Sequence, residues 1–193
     1  MTSALSGTLA RSPRALDAAV VVCGLLTGFL TPLILNYLDG LGGFRVAYGS
    51  ALALGGVPFA ALVVILAHVA ADVGWLRASV LGVLTMVATL VSITLSADTN
   101  AALGAIAEPA RELIGGPVGG VIGSGLMALA AMVLRIGPRH AASWLLMVAA
   151  GTVLGTLLAP DVWLSSENVW VLFPVWQASI AWILLRTLQN ARR

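Results

Sequence analysis

Residues 78–97, with the sequence ASVLGVLTMVATLVSITLSA, form an uninterrupted run without a charged side chain. An α-helix rises about 1.5 Å per residue, so roughly 20 such residues are needed to cross the hydrocarbon core of a bilayer. The run therefore predicts a transmembrane helix. The rest of the fold follows from looking for similar runs on either side of it.

Five further stretches of the chain are apolar and long enough for the same purpose. They are residues 18–38, 51–71, 113–134, 141–160 and 168–185. Glycine or proline pairs mark the ends of several of them, as expected where helices stop. The glycine-rich fourth stretch could instead enter the membrane only partway, so the predicted number of spans is about six.

The composition of the chain fits this interpretation. Of its 193 residues, 60% are hydrophobic and 9% are charged, and the mean hydropathy is +1.02. Soluble domains carry about 25% charged residues, and a soluble fold of this length could not bury so many apolar side chains. We therefore predict an all-α integral membrane protein, a bundle of about six transmembrane helices within residues 18–185. Residues 1–17 and 186–193 are its predicted tails.

The arginines predict the orientation of this bundle. The chain has no lysine, and placing the N-terminus in the cytoplasm leaves only Arg45 and Arg111 of the ten arginines outside. The arginines then inside are Arg11, Arg14, Arg77, Arg135, Arg139, Arg186, Arg192 and Arg193. Basic residues in short loops stay on the cytoplasmic side. We expect a multi-pass protein of a bacterial inner membrane with both termini cytoplasmic.

Several classes of function are disfavoured by the residues present. A chain without lysine cannot form a Schiff base with a cofactor or use a P-loop lysine. The arginines are dispersed, without the patch typical of nucleic-acid binding. The segment Gly123-Ser124-Gly125 lacks the spacing of a membrane serine protease, and no His-Glu-x-x-His motif occurs. We expect no enzyme activity, no cofactor, no metal site and no nucleic-acid partner.

Glycines spaced four residues apart are the clearest motif. The three pairs are Gly24 and Gly28, Gly119 and Gly123, and Gly151 and Gly155. Because glycine has no side chain, it lets two helix backbones approach closely in a membrane. The pairs predict either packing between helices of one chain or association with a second copy or another membrane protein.

His68 and Asp72 form a second candidate feature, one helical turn apart in the second predicted span. Ionisable residues at membrane depth are candidates for function, because they must be paired or hydrated to be tolerated. The pair could relay protons or, with His140 on the same side, bind a metal or haem. The simpler interpretation, which we favour, is that both residues mark the inner membrane interface.

Gln177 is the third candidate, near the centre of the sixth predicted span and shortly after Pro174. A glutamine amide in hydrocarbon needs hydrogen-bond partners, and proline loosens nearby carbonyls. Gln177 is therefore expected either to line a solute path or to link two helices.

The segment between the third and fourth spans, residues 98–112, has apolar residues at helical spacing and charged residues on another face. This pattern indicates a short interfacial helix. Pro109 argues equally for a solvated loop.

Two functions remain open. The favoured one is a non-enzymatic accessory or assembly subunit, because the spans lack a charge pair at mid-membrane and the glycines favour close helix contact. The alternative is a small-solute permease or channel subunit, which would explain Gln177 beside Pro174 and His68 near Asp72.

Overall fold

A computed structural model describes residues 13–40, 54–138, 140–165 and 169–191, and within these ranges the chain is helical without strands. The α-helices are α1 (Pro13–Gly40), α2 (Val57–Ala71), α3 (Trp75–Ala102), α4 (Glu108–Val133), α5 (Leu145–Gly155), α6 (Leu158–Ser165) and α7 (Leu172–Asn190). A 3-10 helix over Ala141–Trp144 precedes α5. The predicted all-α fold is confirmed for this part of the chain.

Among the described residues, four segments are long and apolar enough to cross a membrane. They are Arg14–Leu38, Trp75–Ala102, Ala110–Val133 and Ala141–Leu164. The apolar helix α2 has 15 residues, which is about 22 Å and shorter than a hydrocarbon core of about 30 Å. Its predicted span also includes residues 51–53, which lie outside the described ranges. The chain is built as a membrane protein, and six crossings remain a prediction.

Helices α1 and α7 both continue beyond the predicted spans into the predicted tails. Helix α1 includes Asp17, and α7 continues past Arg186 to Asn190. These two residues form an ion pair between the side chains of α1 and α7. Since neither glycine nor proline interrupts the chain there, the charged ends stay helical.

Residues 98–112 form neither a separate interfacial helix nor a long loop. Helix α3 continues to Ala102, and α4 begins at Glu108 after a short turn. Pro109 falls in the first turn of α4, where a helix does not need the missing N–H. The helical spacing in the sequence therefore belongs to the ends of two long helices.

The fifth predicted span, residues 141–160, is divided between three helical pieces. Helix α5 ends at Gly155, and α6 begins at Leu158. Pro160 cannot donate to the carbonyl of Thr156, so the regular hydrogen-bond ladder is interrupted here.

Helices α1 and α7 lie antiparallel and in close contact. A β-carbon on Gly24 would lie 2.9 Å from the backbone nitrogen of Ala178, and one on Gly28 would lie 2.5 Å from that of Pro174. The start of α1 and the end of α7 are therefore at the same end of the bundle, which we call the Arg186 end. The opposite end, where α3 ends and α4 begins, is the Glu112 end.

The apolar core is concentrated toward the Arg186 end. Its largest buried side chains there include Ile136, Trp144, Ile180, Leu184 and Leu188. Helix α7 contacts α1, α2 and α5, while α4 contacts α3, α5 and α6. Toward the Glu112 end, this arrangement leaves a cavity in place of a filled core.

Candidate functional site

The side chain of Gln177 links α7 to α1. It is 2% exposed, and its Nε2 donates a hydrogen bond of 2.9 Å to Thr31 Oγ1. The Thr31 hydroxyl in turn lies 3.1 Å from the carbonyl oxygen of Thr27 and 3.0 Å from that of Gly55. Gln177 lies five residues after the start of α7, in the half of the helix that is toward the Glu112 end.

A cavity of about 240 Å³ lies beside Gln177, between α3, α4 and α7. Most of its wall is apolar or glycine. The polar residues that line it are Thr89, Ser92, Ser96, Asn100, Glu112 and Gln177. It extends from Gln177 and Met127 to the Glu112 end.

Glycines of α4 create much of this space. Gly119 and Gly123 both line the cavity and face Ser92 on α3. The Ser92 hydroxyl donates a 2.6 Å hydrogen bond to the carbonyl oxygen of Gly119. A β-carbon on Gly123 would lie 3.0 Å from Ser92 Oγ. This predicted pair therefore packs two helices and shapes the cavity wall.

Aromatic side chains border the cavity on the α7 side. Trp176 and Phe173 both line it. The ring of Trp176 meets that of Phe59 from α2 edge to face, with centroids 5.8 Å apart. Because Phe59 is 1% exposed, this contact joins the cavity wall to the apolar core.

Charged residues gather at the Glu112 end of the cavity. Glu112 is 6% exposed and accepts a hydrogen bond from Asn100 Nδ2. Arg111 Nε lies 3.7 Å from Glu112 Oε1, and its terminal nitrogen lies 3.1 Å from Glu108 Oε1. Arg111 therefore forms ion pairs with two carboxylates. Sequence reasoning missed this group, because Asn100 and Glu112 fall in a segment that it assigned to an interfacial helix or a loop.

The start of α7 is held by a carboxylate of the preceding helix, α6. Asp161 is 2% exposed. Its side-chain oxygens accept hydrogen bonds from the backbone N–H groups of Trp170, Val171 and Leu172 at 3.0, 2.9 and 2.8 Å. An anion at the first turn satisfies N–H groups that have no partner within the helix. Asp161 thus positions the segment that carries Trp176 and Gln177.

His68 and Asp72 lie away from this cavity and do not line it. The His68 ring stacks on Trp75 with centroids 4.0 Å apart, and Nδ1 lies 2.9 Å from the carbonyl oxygen of Val73. Asp72 ends α2 in a left-handed conformation with φ of 56° and is exposed. The structure therefore places His68 in the last turn of α2 and Asp72 directly after that helix, and does not bring either residue to Gln177.

The remaining predicted glycines also face helices of the same chain. Gly24 and Gly28 pack against α7, as described above. A β-carbon on Gly151 would lie 2.9 Å from the carbonyl oxygen of Gly120, and one on Gly155 would lie 2.6 Å from the carbonyl carbon of Gly116. Gly116 and Gly120 have the same four-residue spacing as the predicted pair, but the sequence did not show which glycines of α4 would face α5.

Within the described ranges, no group of three His, Cys, Asp or Glu side chains is placed to hold a metal ion. Comparison of the chain with protein-family models, with curated proteins and with solved structures finds no match.

Proposed function

We propose that this chain is a six-span protein of a bacterial inner membrane, with both termini in the cytoplasm, that binds and passes a small solute as a permease or channel subunit. The observation that carries the proposal is the cavity beside Gln177. Ligand sites are typically concave and mostly apolar with a few placed polar groups. This cavity has that composition.

The position of Gln177 supports a role in contact with solute. Its Nε2 binds Thr31, while its Oε1 is buried without a hydrogen-bond partner among the described residues. A clasp between two helices would need only the first of these atoms. Gln177 also lines the cavity, so the residue lies against the space that a solute would occupy.

The proposed topology agrees with the antiparallel contact of α1 and α7, which puts the start of one and the end of the other at the same end of the bundle. With the Arg186 end cytoplasmic, as the arginines favour, the cavity and Glu112 face the periplasmic side.

Flux measurements on proteoliposomes test this function. Uptake of radiolabelled choline and alanine, and swelling in glycerol and urea, would be compared with protein-free liposomes. The variant Ile93→Trp places a large ring in the cavity wall and is expected to bring flux close to that of empty liposomes. Its control is Val83→Trp on the same helix, where the side chain is 58% exposed.

Two further variants separate the polar candidates. Gln177→Leu removes the buried amide and is expected to lower flux roughly tenfold, the equivalent of one hydrogen bond. His68→Ala should leave flux unchanged, because His68 does not line the cavity. Flux no faster than that of protein-free liposomes for every solute would reject the permease.

The accessory or assembly subunit stays as the second candidate. The three predicted glycine pairs face helices of this chain, so a partner would need another surface. A surface groove between α1, α5 and α7, with Ala150, Ala178 and Ser179 in its wall, favours this function, because small residues allow close helix contact. Co-purification of a stoichiometric membrane partner from mild detergent, together with absent flux, would support it.

A further inference from the structure

A groove and a pocket on the outside of the bundle form one continuous feature. The groove between α1, α5 and α7 has a volume of about 390 Å³. The pocket lies at the Arg186 end, between α7 and the start of α5, and has a volume of about 330 Å³. Trp182 and Ile183 line both. Ligand sites typically measure about 300–1,000 Å³, so each part is large enough to hold a portion of one ligand.

This feature runs along the surface through the depth of one membrane leaflet. On α7, the lining residues extend from Ala178 in the groove to Asn190 in the pocket, which is about 18 Å at 1.5 Å per residue. Half of a hydrocarbon core is about 15 Å. Val153 of the groove and Leu146 of the pocket are 66% and 64% exposed, so in a membrane this surface faces the acyl chains.

The two parts differ in chemistry. The groove wall is apolar or small, with Ser179 as its hydroxyl-bearing residue. The pocket adds polar side chains that can donate hydrogen bonds, namely Ser143, Arg186, Thr187 and Asn190. A site that is apolar within the leaflet and polar at its end matches a ligand with an apolar chain and a polar headgroup.

Arg186 can bind an anionic headgroup as well as its partner on α1. Its terminal nitrogen Nη2 contacts Asp17, and 44% of its side chain is accessible. Its guanidinium carbon lies 5.7 Å from the centroid of the Trp182 ring. A guanidinium has five N–H donors in a planar array that matches phosphate oxygens, so the contact with Asp17 leaves donors available. Ser143 and Asn190 are both exposed and add uncharged donors.

The charge at the Arg186 end favours an anion. The charged side chains of the described residues at this end are Arg14, Arg77, Arg135, Arg186, Asp17 and Asp72. Arginines therefore outnumber carboxylates there, even though Asp17 is paired with Arg186. Basic pockets between membrane helices bind the headgroups of anionic lipids.

We infer that this site binds one anionic phospholipid, with its phosphate at Arg186, Ser143 and Asn190 and one acyl chain along the groove between α1, α5 and α7. The site is separate from the cavity beside Gln177, and the inference does not rest on the proposed function. A partner helix packed on the small residues of the groove would need no arginine. The polar pocket that continues the groove therefore favours a lipid.

Native mass spectrometry of the purified full chain in mild detergent tests the site. Dioleoyl phosphatidylglycerol and dioleoyl phosphatidylcholine have the same acyl chains, and the first carries a net negative charge. One arginine near the membrane surface favours an anionic lipid roughly fivefold, so phosphatidylglycerol should bind roughly fivefold more tightly. Glycerophosphoglycerol, the same headgroup without acyl chains, should fail to displace it at equal concentration. Displacement by the headgroup alone would assign the pocket to a free phosphate ester and overturn the lipid site.

Two arginine variants separate this site from a general attraction to the basic end. Arg186→Gln should make the two lipids bind equally. Its control is Arg77→Gln, which removes the same charge from an exposed residue at the same end that does not line the pocket. This control should keep the preference. A preference that survives Arg186→Gln, or an equal loss in both variants, would overturn the inference.

Two alanine variants test the groove. Ala150→Trp fills part of it and should weaken binding of both lipids roughly tenfold, the equivalent of about two buried CH2 groups. Ala149→Trp, at the exposed neighbouring position outside the groove, should leave binding unchanged. Equal effects of the two tryptophans, or a membrane protein retained in place of the lipid, would contradict the site. The comparison of lipids on the unmodified chain needs no variant to fold, and equal binding there would also overturn the inference.

Discussion

Gly120 of α4 and Gly151 of α5 lie back to back, so that a β-carbon on Gly151 would lie 2.9 Å from the Gly120 carbonyl oxygen. The same β-carbon would lie 2.7 Å from the Cβ of Ser124. Gly155 meets Gly116 one turn away in the same manner. The contact surface between the two helices is thus formed by glycines, which have no side chains. The close approach of the backbones gives van der Waals contact that lipid does not supply.

Replacing Gly151 with leucine should separate these helices. The added side chain meets the Ser124 side chain and the Gly120 carbonyl oxygen of α4, and overpacking of this kind costs about 1–3 kcal/mol or more. We expect the temperature of unfolding in detergent to fall by roughly 5–10 °C. The matched control is Gly125→Ala on α4, where a β-carbon would meet nothing within 4 Å. Equal melting of both variants would contradict the observed contact.

The hydrogen bond between Gln177 and Thr31 predicts an energetic coupling of these positions. Thr31→Val, Gln177→Leu and the double variant form a cycle, measured by unfolding in mixed detergent. Hydrogen bonds between membrane helices couple by about 0.6 kcal/mol on average and about 1.7 at most. Additive losses of stability would show that the two side chains do not share a bond.

Asp161 should stabilise the first turn of α7. Asp161→Ala leaves three backbone N–H groups without their acceptor and is expected to lower stability by about 1–3 kcal/mol. Hydrogen exchange should accelerate at Trp170, Val171 and Leu172, the donors of these bonds. The exposed Asp98 of α3 provides the control variant Asp98→Ala, which should change neither quantity. Unchanged exchange at the three amides would contradict the capping role.

The ion pair of Asp17 and Arg186 predicts a charge-swap effect. Either single reversal, Asp17→Arg or Arg186→Asp, should lower the free energy of unfolding, and the double swap should restore part of it. The pair is partly exposed, with 17% and 44% of the two side chains accessible, so the coupling should be about 0.2–1 kcal/mol. No recovery in the double swap would show that the two ends do not meet.

The orientation of the bundle can be checked by cysteine labelling. Cys23 is the single cysteine, so Cys23→Ser gives a background without thiols. In intact cells, a membrane-impermeant maleimide should label Ala105→Cys in the turn between α3 and α4. Gly74→Cys, between α2 and α3, should be labelled only after permeabilisation. The opposite pattern would reverse the orientation, and labelling of both from one side would mean that α3 does not cross.

The sequence predicts where the helices lie better than it predicts which helices pack against each other, and the reason is physical. A run such as 78–97 predicts a transmembrane helix from local sequence alone, because all of its residues are compatible with a lipid environment. The burial of Gln177 was likewise foreseeable, since a polar residue inside an apolar run must be packed. Its partner Thr31 is 146 residues away, and nothing local in either segment points to the other.

The pairing of Asn100 with Glu112 was missed for a different reason. Helical spacing across residues 98–112 was assigned to one element, whereas it arises from the end of α3 and the start of α4. Similarly, α4 carries glycines on more than one face, and only the packed structure shows that Gly116 and Gly120 meet α5 while Gly119 and Gly123 meet α3.

The clasp between α1 and α7 has a consequence for how the protein is made. Gly24 and Gly28 pack against α7, and Thr31 accepts its hydrogen bond from Gln177 of the same helix, which leaves the ribosome after all the other helices described. Until then, the glycine face of α1 has no helix packed against it, and the Thr31 hydroxyl can bond only to the carbonyl oxygens of Thr27 and Gly55. Contacts between distant parts of a chain form late, and incompletely folded intermediates are prone to misassembly. A nascent chain that stalls before α7 would therefore leave the glycine face of α1 uncovered, and we expect such a chain to be degraded.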